Sequence, residues 1–176
     1  SDPEASLDAG ALAKGYAVEA AAKRARDAGF TSGVINAGGN VRCIGTPQVR
    51  HRNAFSIGIQ NPDETAENPL FDTIQVSDLS IVTSGDYQRY FIVDGTRYHH
   101  ILDPTTAMPA DRFRSVTVIH ADSKIADMLS TALFILPYEE GLSLANSYEA
   151  EVLWIFGDLT WEATEGYKAM SQTLTP

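Results

Sequence analysis

Residues that could carry acid–base chemistry are concentrated between Thr83 and Pro109, in the sequence TSGDYQRYFIVDGTRYHHILDPTTAMP. This segment opens with a turn of small residues, passes through an aromatic hairpin and ends with paired histidines, His99 and His100, before Asp103-Pro104. A hydrophobic core does not need this many polar groups. An imidazole has a pKa near neutrality and can accept a proton from a hydroxyl group. We interpret the segment as one wall of an active site.

A structural interpretation of the same segment stays open at this stage. The two histidines can be surface residues or hydrogen-bonded residues of the core. The aromatic residues can be ordinary hairpin side chains; these are Tyr87, Tyr90, Phe91 and Tyr98. The rest of the chain must decide between the two interpretations.

Two oxygen-bearing side chains share one face of a second element. A helix is predicted over Ser123–Leu136, because Asp122 can cap its start and Pro137 stops it. Asp127 and Thr131 lie four residues apart on this helix, so their oxygens project from the same face. An acidic residue on a helix is more often only solvated, and that alternative also stays open.

The first helix is predicted over Ala11–Gly29, where alanine-rich sequence ends at a glycine. Gly10 and Gly15, near its start, leave space for a phosphate or a metal ion to approach the backbone. Asp8 and Lys14 flank this position. They can equally be an N-cap acid and a solvated lysine.

A glycine pair, Gly38-Gly39, interrupts a strand predicted over Gly33–Val41, which we expect to be buried. Glycines can present backbone amides to a dinucleotide phosphate or to the edge of a flavin, because no side chain covers them. Most glycine pairs only make a tight turn, so this signal is weak alone.

The remaining elements indicate an α+β fold with mixed, largely antiparallel sheets and packed helices. Asp94-Gly95, flanked by alternating residues, predicts a two-residue β-hairpin that delivers His99 and His100 to a fixed place. Other strands are predicted over Phe55–Gln60, Phe71–Val76, Leu79–Thr83, Ser115–His120, Glu151–Phe156 and Thr160–Thr164, with a helix over Tyr138–Tyr148, a short C-terminal helix and a loop over Asp103–Arg114.

Composition narrows the classes of ligand. The chain has 176 residues, 44% of them hydrophobic, which is enough for one sizeable core. A formal net charge of −10 argues against a nucleic-acid-binding surface. An anionic small ligand would then need local Arg, Lys, helix N-termini or a divalent metal. The sequence contains no apolar run that predicts a transmembrane span, and its single cysteine, Cys43, excludes an intramolecular disulfide.

Several motifs together resemble the ApbE family, the FAD:protein FMN transferases. They occur in the family's order and cover nearly the whole chain. The matching segments are LDAGALAKGYAVE at Leu7–Glu19, NAGGN at Asn36–Asn40, IGIQNP at Ile57–Pro62, TSGDYQRYF at Thr83–Phe91, YHHILDPTT at Tyr98–Thr106, SVTV at Ser115–Val118 and ADMLSTALF at Ala126–Phe134.

The resemblance implies a T-fold-like core and a Mg²⁺-dependent enzyme that cleaves FAD at its pyrophosphate. Such enzymes attach FMN through a phosphoester to a threonine or serine of an acceptor flavoprotein and release AMP. Family members usually carry roughly another domain's worth of residues upstream. We therefore expect residues 1–176 to be a single ApbE-type domain that lacks an upstream N-terminal part.

The resemblance also assigns roles to individual residues. His100, in the HxxDP pattern, corresponds to the family's candidate base. The metal ligands correspond to the backbone carbonyl of Ala11 and the side chains of Asp127 and Thr131, hard oxygen donors that suit Mg²⁺. Residues of the FAD site correspond to Asp8, Lys14, Ser84, Gly85, Asp86, Tyr87, Arg89 and Leu102.

Two other functions remain possible at this stage. An FAD pyrophosphatase would use water in place of the protein hydroxyl and give FMN and AMP. A non-catalytic flavin-binding module or inactive fragment would bind FAD without releasing AMP. By family resemblance we expect an extracytoplasmic location, periplasmic or as a membrane-anchored lipoprotein, although no signal is visible in this sequence.

One position departs from the family pattern. Ala107, in DPTTAMP, stands where the family commonly has a glycine. If the backbone there needs a positive φ, alanine costs roughly 1 kcal/mol or reshapes the loop.

Overall fold

A computed structural model describes residue 4, residue 6 and residues 8–174. The predicted α+β fold is confirmed. Leu7, the first residue of the Leu7–Glu19 motif, lies outside the described residues. The helices are α1 (Gly10–Asp27), α2 (Ser123–Ile135), α3 (Tyr138–Ser147) and α4 (Glu165–Met170). The strands are β1 (Ser32–Ala37), β2 (Asn40–Gly45), β3 (Phe55–Gln60), β4 (Leu70–Val76), β5 (Ser80–Gly85), β6 (Tyr90–Val93), β7 (Thr96–His99), β8 (Leu102–Asp103), β9 (Met108–Pro109), β10 (Phe113–His120), β11 (Glu151–Phe156) and β12 (Trp161–Ala163).

A six-stranded antiparallel sheet forms the centre of the fold, in the order β1-β2-β5-β10-β11-β12. Alternate residues of its strands point to opposite faces. One face packs against α2 and α3 through Val116, Val118 and Trp154. The other packs against the β3–β4 ribbon and α4, with Leu153 and Ile155 beside the buried ring of Tyr167. The sheet is therefore buried between two hydrophobic cores, one on each face.

The glycine pair lies in a hairpin between β1 and β2. Gly38 and Gly39 have φ values of 58° and 88°, which glycine adopts without steric cost. The expectation of a buried strand is wrong for its first half. β1 is an edge strand of the sheet, and its side chains are half-buried or exposed. The apolar sequence predicted burial, but an edge strand pairs with a neighbouring strand on one side only, so its side chains are less buried.

The two long helices, α1 and α2, differ in how their first residues are capped. The carboxylate of Asp122 accepts a hydrogen bond from the Lys124 amide at 2.8 Å, so the predicted cap of α2 is confirmed. The N-cap of α1 is Ala9, which makes no side-chain capping bond. Asp8 instead accepts from the Gly10 amide at 2.7 Å, so it shapes the turn that leads into the helix.

The predicted hairpin before the histidines is confirmed. Asp94 and Gly95 have φ values of 48° and 79°, as a two-residue turn of this type requires. The loop predicted over Asp103–Arg114 is partly wrong, because β8 and β9 pair within it and β10 begins at Phe113. The Asp103 carboxylate accepts from both the amide and the hydroxyl of Thr105, which closes the turn between β8 and β9.

Ala107 occupies this turn with a φ of 56°. Because a side chain is strained in that region, we expect Ala107→Gly to raise the free energy of unfolding by about 1 kcal/mol. Thermal unfolding of the variant should shift upward by about 2–4 °C for a chain of this size. Ala28→Gly is the matched control, because Ala28 has a φ of −83° and should gain no stability. An unchanged or lower melting temperature for Ala107→Gly would contradict the assigned strain.

Candidate active site

A cleft of about 900 Å³ opens where α1, α2 and the turns after β1, β5 and β7 meet. Its volume lies at the upper end of the range for small-molecule and cofactor sites, about 300–1,000 Å³. Residues distant in sequence line it together. Of the sequence-predicted residues, the cleft contains Asp8, Ala11, Lys14, Ser84, Tyr87, Arg89, His100, Leu102, Asp127 and Thr131.

Other lining residues were not singled out by the sequence. These include Gln60, Thr83, Gln88, Ile101 and Ile135. Gln60 ends an alternating strand and Gln88 directly follows the Ser-Gly-Asp-Tyr turn. Both lie inside motifs that resemble the ApbE family, IGIQNP and TSGDYQRYF, and that position was the available signal. Gly38 and Gly39 also line the cleft, but the Gly39 amide already donates to Oδ1 of Asn36 at 3.1 Å, so the expectation of an amide accessible to a ligand is not met at Gly39.

At Gly15 the helices α1 and α2 approach each other closely. Its amide donates a hydrogen bond of 2.7 Å to Oδ2 of Asp127, which is buried. A Cβ at Gly15 would collide with the Ser123 carbonyl oxygen and lie 2.6 Å from the Cβ of Asp127. In a regular helix the Gly15 amide pairs with the carbonyl of Ala11. Asp127 therefore shares or competes for that donor, and the Ala11 oxygen, which has two lone pairs, can accept a further partner.

The two histidines have different environments. His99 is buried; its Nε2–H donates to the Ala110 carbonyl at 2.8 Å, and its Nδ1 accepts from the Ile101 amide at 3.3 Å. Its ring also packs edge-on against Phe134, with centroids 5.6 Å apart. The structural interpretation therefore holds for His99. His100 lines the cleft instead.

The geometry of His100 leaves one ring nitrogen for chemistry. Its Nδ1 lies 3.3 Å from the Arg89 carbonyl, which can only accept, so Nδ1 carries the proton in the neutral ring. Nε2 then has the lone pair. Burial lowers the pKa of His100 below its usual 6.5, and the charges of Arg89 and Lys14 act in the same direction, against the opposing hydrogen bond to the Arg89 carbonyl. The cleft thus favours the neutral imidazole.

The Ser-Gly-Asp-Tyr turn has two sides. Ser84 and Tyr87 line the cleft. Gly85 and Asp86 do not: a Cβ at Gly85 would lie 2.5 Å from the Tyr87 ring, so this glycine gives the ring its space. Asp86 faces a second, smaller cavity and pairs with Arg114 at 2.8 Å and with Arg97 at 3.4 Å. Burial raises the pKa of Asp86 more than these arginines lower it.

Tyr87 lines the cleft, and its hydroxyl is buried without a hydrogen-bond partner among the described residues. The side chain is 6% exposed. Burial raises the pKa of Tyr87 to about 12, so the hydroxyl keeps its proton. A buried donor without a partner is costly, so this hydroxyl is a polar group that the protein alone leaves unsatisfied beside the cleft.

The cleft is lined by two carboxylates, of Asp8 and Asp127, and by two cations, of Lys14 and Arg89. Lys14 and Arg89 both line it, and neither forms an ion pair with a carboxylate in the described part of the chain. In a protein of net charge −10 these two cations give the local positive charge that a phosphate group needs.

The donor set on the α1–α2 side fits a magnesium ion. Oδ2 of Asp127 has the Gly15 amide as its partner, whereas Oδ1 and the Thr131 hydroxyl have no hydrogen-bond partner among the described residues. With the Ala11 carbonyl they supply three hard oxygens, and Mg²⁺ commonly completes its shell with water and phosphate oxygens. Among the described residues no three His, Cys, Asp or Glu side chains converge there, and Asp127 is the one carboxylate in the proposed ligand set.

Fold and site together define an α+β protein with one large cleft suited to a phosphorylated ligand. Comparisons with known proteins agree with this class. The ApbE family model matches residues 1–155. An ApbE protein of known structure from Thermotoga maritima is 37% identical with a TM-score of 0.84, covering 93% of this chain and 53% of that one.

Two further relatives are named for an activity. The flavin transferase ApbE of Vibrio cholerae superimposes with a TM-score of 0.80 at 32% identity, over 96% of this chain and 53% of that one. The FAD:protein FMN transferase of Treponema pallidum is 36% identical over 168 residues, covering 91% of this chain and 46% of that protein. The chain belongs to the ApbE family. It spans about half the length of these relatives.

Proposed function

We propose that this protein transfers FMN from FAD to a threonine or serine hydroxyl of an acceptor flavoprotein, with Mg²⁺, and releases AMP. The observation that carries the proposal is the convergence in one cleft of three groups distant in sequence. These are the lone-pair nitrogen of His100, the oxygens of Asp127 and Thr131, and the cations Lys14 and Arg89. The names of the relatives support the same reaction.

Each group has a role in this reaction. Nε2 of His100 accepts the proton of the attacking hydroxyl, which makes the oxygen a better nucleophile. Lys14 and Arg89 hold the pyrophosphate and offset its charge. A Mg²⁺ ion bound by Asp127, Thr131 and the Ala11 carbonyl would neutralise charge on the transferred phosphoryl group. Ser84 and Tyr87 line the nucleotide side of the cleft and limit the orientation of the nucleotide. The Ser84 hydroxyl donates to Ser130 at 3.0 Å, so it would accept a hydrogen bond from the nucleotide.

The reaction is tested by incubating the protein with FAD, Mg²⁺ and a candidate acceptor that contains a target threonine. Mass spectrometry should detect an FMN adduct on the acceptor, and chromatography should detect an equal amount of AMP. The acceptor with that threonine changed to alanine is the control. AMP with unattached FMN would instead indicate an FAD pyrophosphatase. Bound FAD without AMP would indicate a non-catalytic flavin-binding module.

The pH dependence of transfer should report the lowered pKa of His100. A base works only when deprotonated, so kcat/KM should fall as pH decreases through that pKa. Because burial and nearby positive charges favour the neutral ring, we expect the midpoint of this acid limb below pH 6.5. Initial rates between pH 4.5 and 8, at low FAD, measure it. A midpoint above 6.5 would contradict the assignment.

We also propose the extracytoplasmic location that the family resemblance implies. No helix in the described part of the chain is long and apolar enough to cross a membrane. Fractionation of the native cell, followed by detection of the protein with a specific antibody, tests the location. Recovery in the cytoplasmic fraction would contradict it.

A further inference from the structure

Two hydrogen bonds cross between α1 and α2 with matching spacing. The Gly15 amide on α1 donates to Asp127 on α2 at 2.7 Å, and the Ser123 amide on α2 donates to Oε2 of Glu19 on α1 at 2.9 Å. Glu19 lies four residues after Gly15, and Ser123 lies four residues before Asp127. The helices therefore pair one turn at a time in antiparallel directions.

The next pair in this series is Ala11 and Thr131, four residues further along each helix. Both line the cleft. Together with Asp127 they supply the candidate cation ligands. The distance between the Ala11 carbonyl and the oxygens of α2 therefore depends on the register of one helix on the other.

Glu19 is held firmly enough to set that register. Its side chain is 19% exposed, and it also accepts from Nε of Arg42, which is itself buried, at 3.3 Å. The Ser123 amide is one of the first amides of a helix, which have no partner within the helix. An acidic group at a helix N-terminus is also favoured by the helix dipole. The Ser123 hydroxyl donates to Asn40 of β2 at 2.7 Å, so the start of α2 is attached to two elements.

We propose that Glu19 is a positioning residue for the cation site. Its hydrogen bond to the Ser123 amide fixes the register of α2 on α1, and this sets the spacing of the Ala11 carbonyl from Asp127 and Thr131. The inference rests on the proposed function, because that function places a divalent cation there. Glu19 itself does not line the cleft and acts only through the helices.

Three substitutions of Glu19 distinguish the effect of its hydrogen bond to Ser123 from the effect of its ion pair with Arg42. Glu19→Gln keeps an oxygen that can accept from the Ser123 amide but removes the charge beside Arg42. Glu19→Asp keeps the negative charge near Arg42 and Arg26 but shortens the side chain by one methylene, so the hydrogen bonds of Oε2 with both Ser123 and Arg42 are lost. Glu19→Ala removes both the charge and the hydrogen bonds. A role limited to the ion pair would make the aspartate variant the better replacement, whereas positioning through Ser123 favours glutamine.

The readout is the affinity of the whole chain for Mn²⁺ alone. Electron paramagnetic resonance measures the Mn²⁺ that stays unbound. We expect affinity to fall about tenfold or more in Glu19→Asp and Glu19→Ala, as for other residues that orient metal ligands, and to stay within about threefold in Glu19→Gln. Mg²⁺ should compete in every case.

Two control variants exclude indirect effects. Asp27→Asn breaks the exposed ion pair with Lys23 on the same helix, and Ile155→Val weakens the core on the far face of the sheet. Both should bind Mn²⁺ like the parent, although Ile155→Val lowers the melting temperature. If the parent, Glu19→Asp and Glu19→Ala bind Mn²⁺ equally well, the positioning role of Glu19 is overturned, but the cation site is not. A parent that binds no Mn²⁺ would overturn the cation site of the proposed function as well.

Discussion

His100→Ala is expected to lower the rate of FMN transfer by about 10²–10⁴-fold, the usual contribution of a general base. The side chain is exposed in the cleft, and among the described residues its ring makes a hydrogen bond only to the Arg89 carbonyl. Its loss should therefore leave the melting temperature nearly unchanged. FAD binding should also be retained, because the proposed nucleotide contacts belong to other residues. The measurement is the initial rate of adduct formation by mass spectrometry at saturating FAD.

The neighbouring histidine is the matched control. His99 makes two hydrogen bonds in the core and packs on Phe134. His99→Ala should therefore lower the free energy of unfolding by about 2–3 kcal/mol, because it leaves buried polar groups without partners. His100→Ala should thus lower activity without lowering stability, whereas His99→Ala should lower stability. If His100→Ala transfers FMN at the parent rate, His100 is not the base.

Asp127→Asn is expected to weaken divalent-cation binding about 100-fold or more and to lower FMN transfer by about 10³-fold. The carboxylate would supply the only negative charge among the proposed ligands, and a metal ion contributes several kcal/mol to a charged transition state. Asparagine retains an oxygen that can accept from the Gly15 amide, so the contact between the helices should persist. Titration with Mn²⁺ measures binding, and the adduct assay measures transfer.

Thr131 gives a finer test of the same site. Thr131→Val removes the hydroxyl at nearly constant volume, whereas Thr131→Ser keeps it. We expect valine to weaken Mn²⁺ binding and serine to preserve it. If Asp127→Asn and Thr131→Val both bind Mn²⁺ like the parent, the cation does not occupy this side of the cleft.

Local sequence patterns predicted most elements of the fold. The Asp94-Gly95 turn, the Asp122 cap and strands such as β3 and β11 depend on residues close in sequence, and each lies where the pattern placed it. The patterns failed where tertiary position decides exposure or pairing. β1 is an apolar strand at an edge of the sheet, and the short β8–β9 ribbon lies inside a segment rich in turn residues.

The candidate site shows the same division. The sequence alone determined which residue types were present: paired histidines, a carboxylate and a hydroxyl four residues apart, and small residues at the start of α1. It could not tell His99 from His100, because only the packing of β7 decides that His99, its last residue, is buried and that His100, in the turn after it, lines the cleft. Nor could it show that Gly85 and Asp86 lie outside the cleft while Ser84 and Tyr87 line it.

Only the tertiary structure decided that these groups meet. The amide of Gly15 and the carboxylate of Asp127 are separated by 112 residues, and they touch because a glycine allows α1 to approach α2. Such long-range contacts arise from packing of whole elements, which no local period in the sequence encodes. The chemistry was therefore present in the residue types, and its assembly into one cleft came from the antiparallel packing of α1 on α2 beside the central sheet.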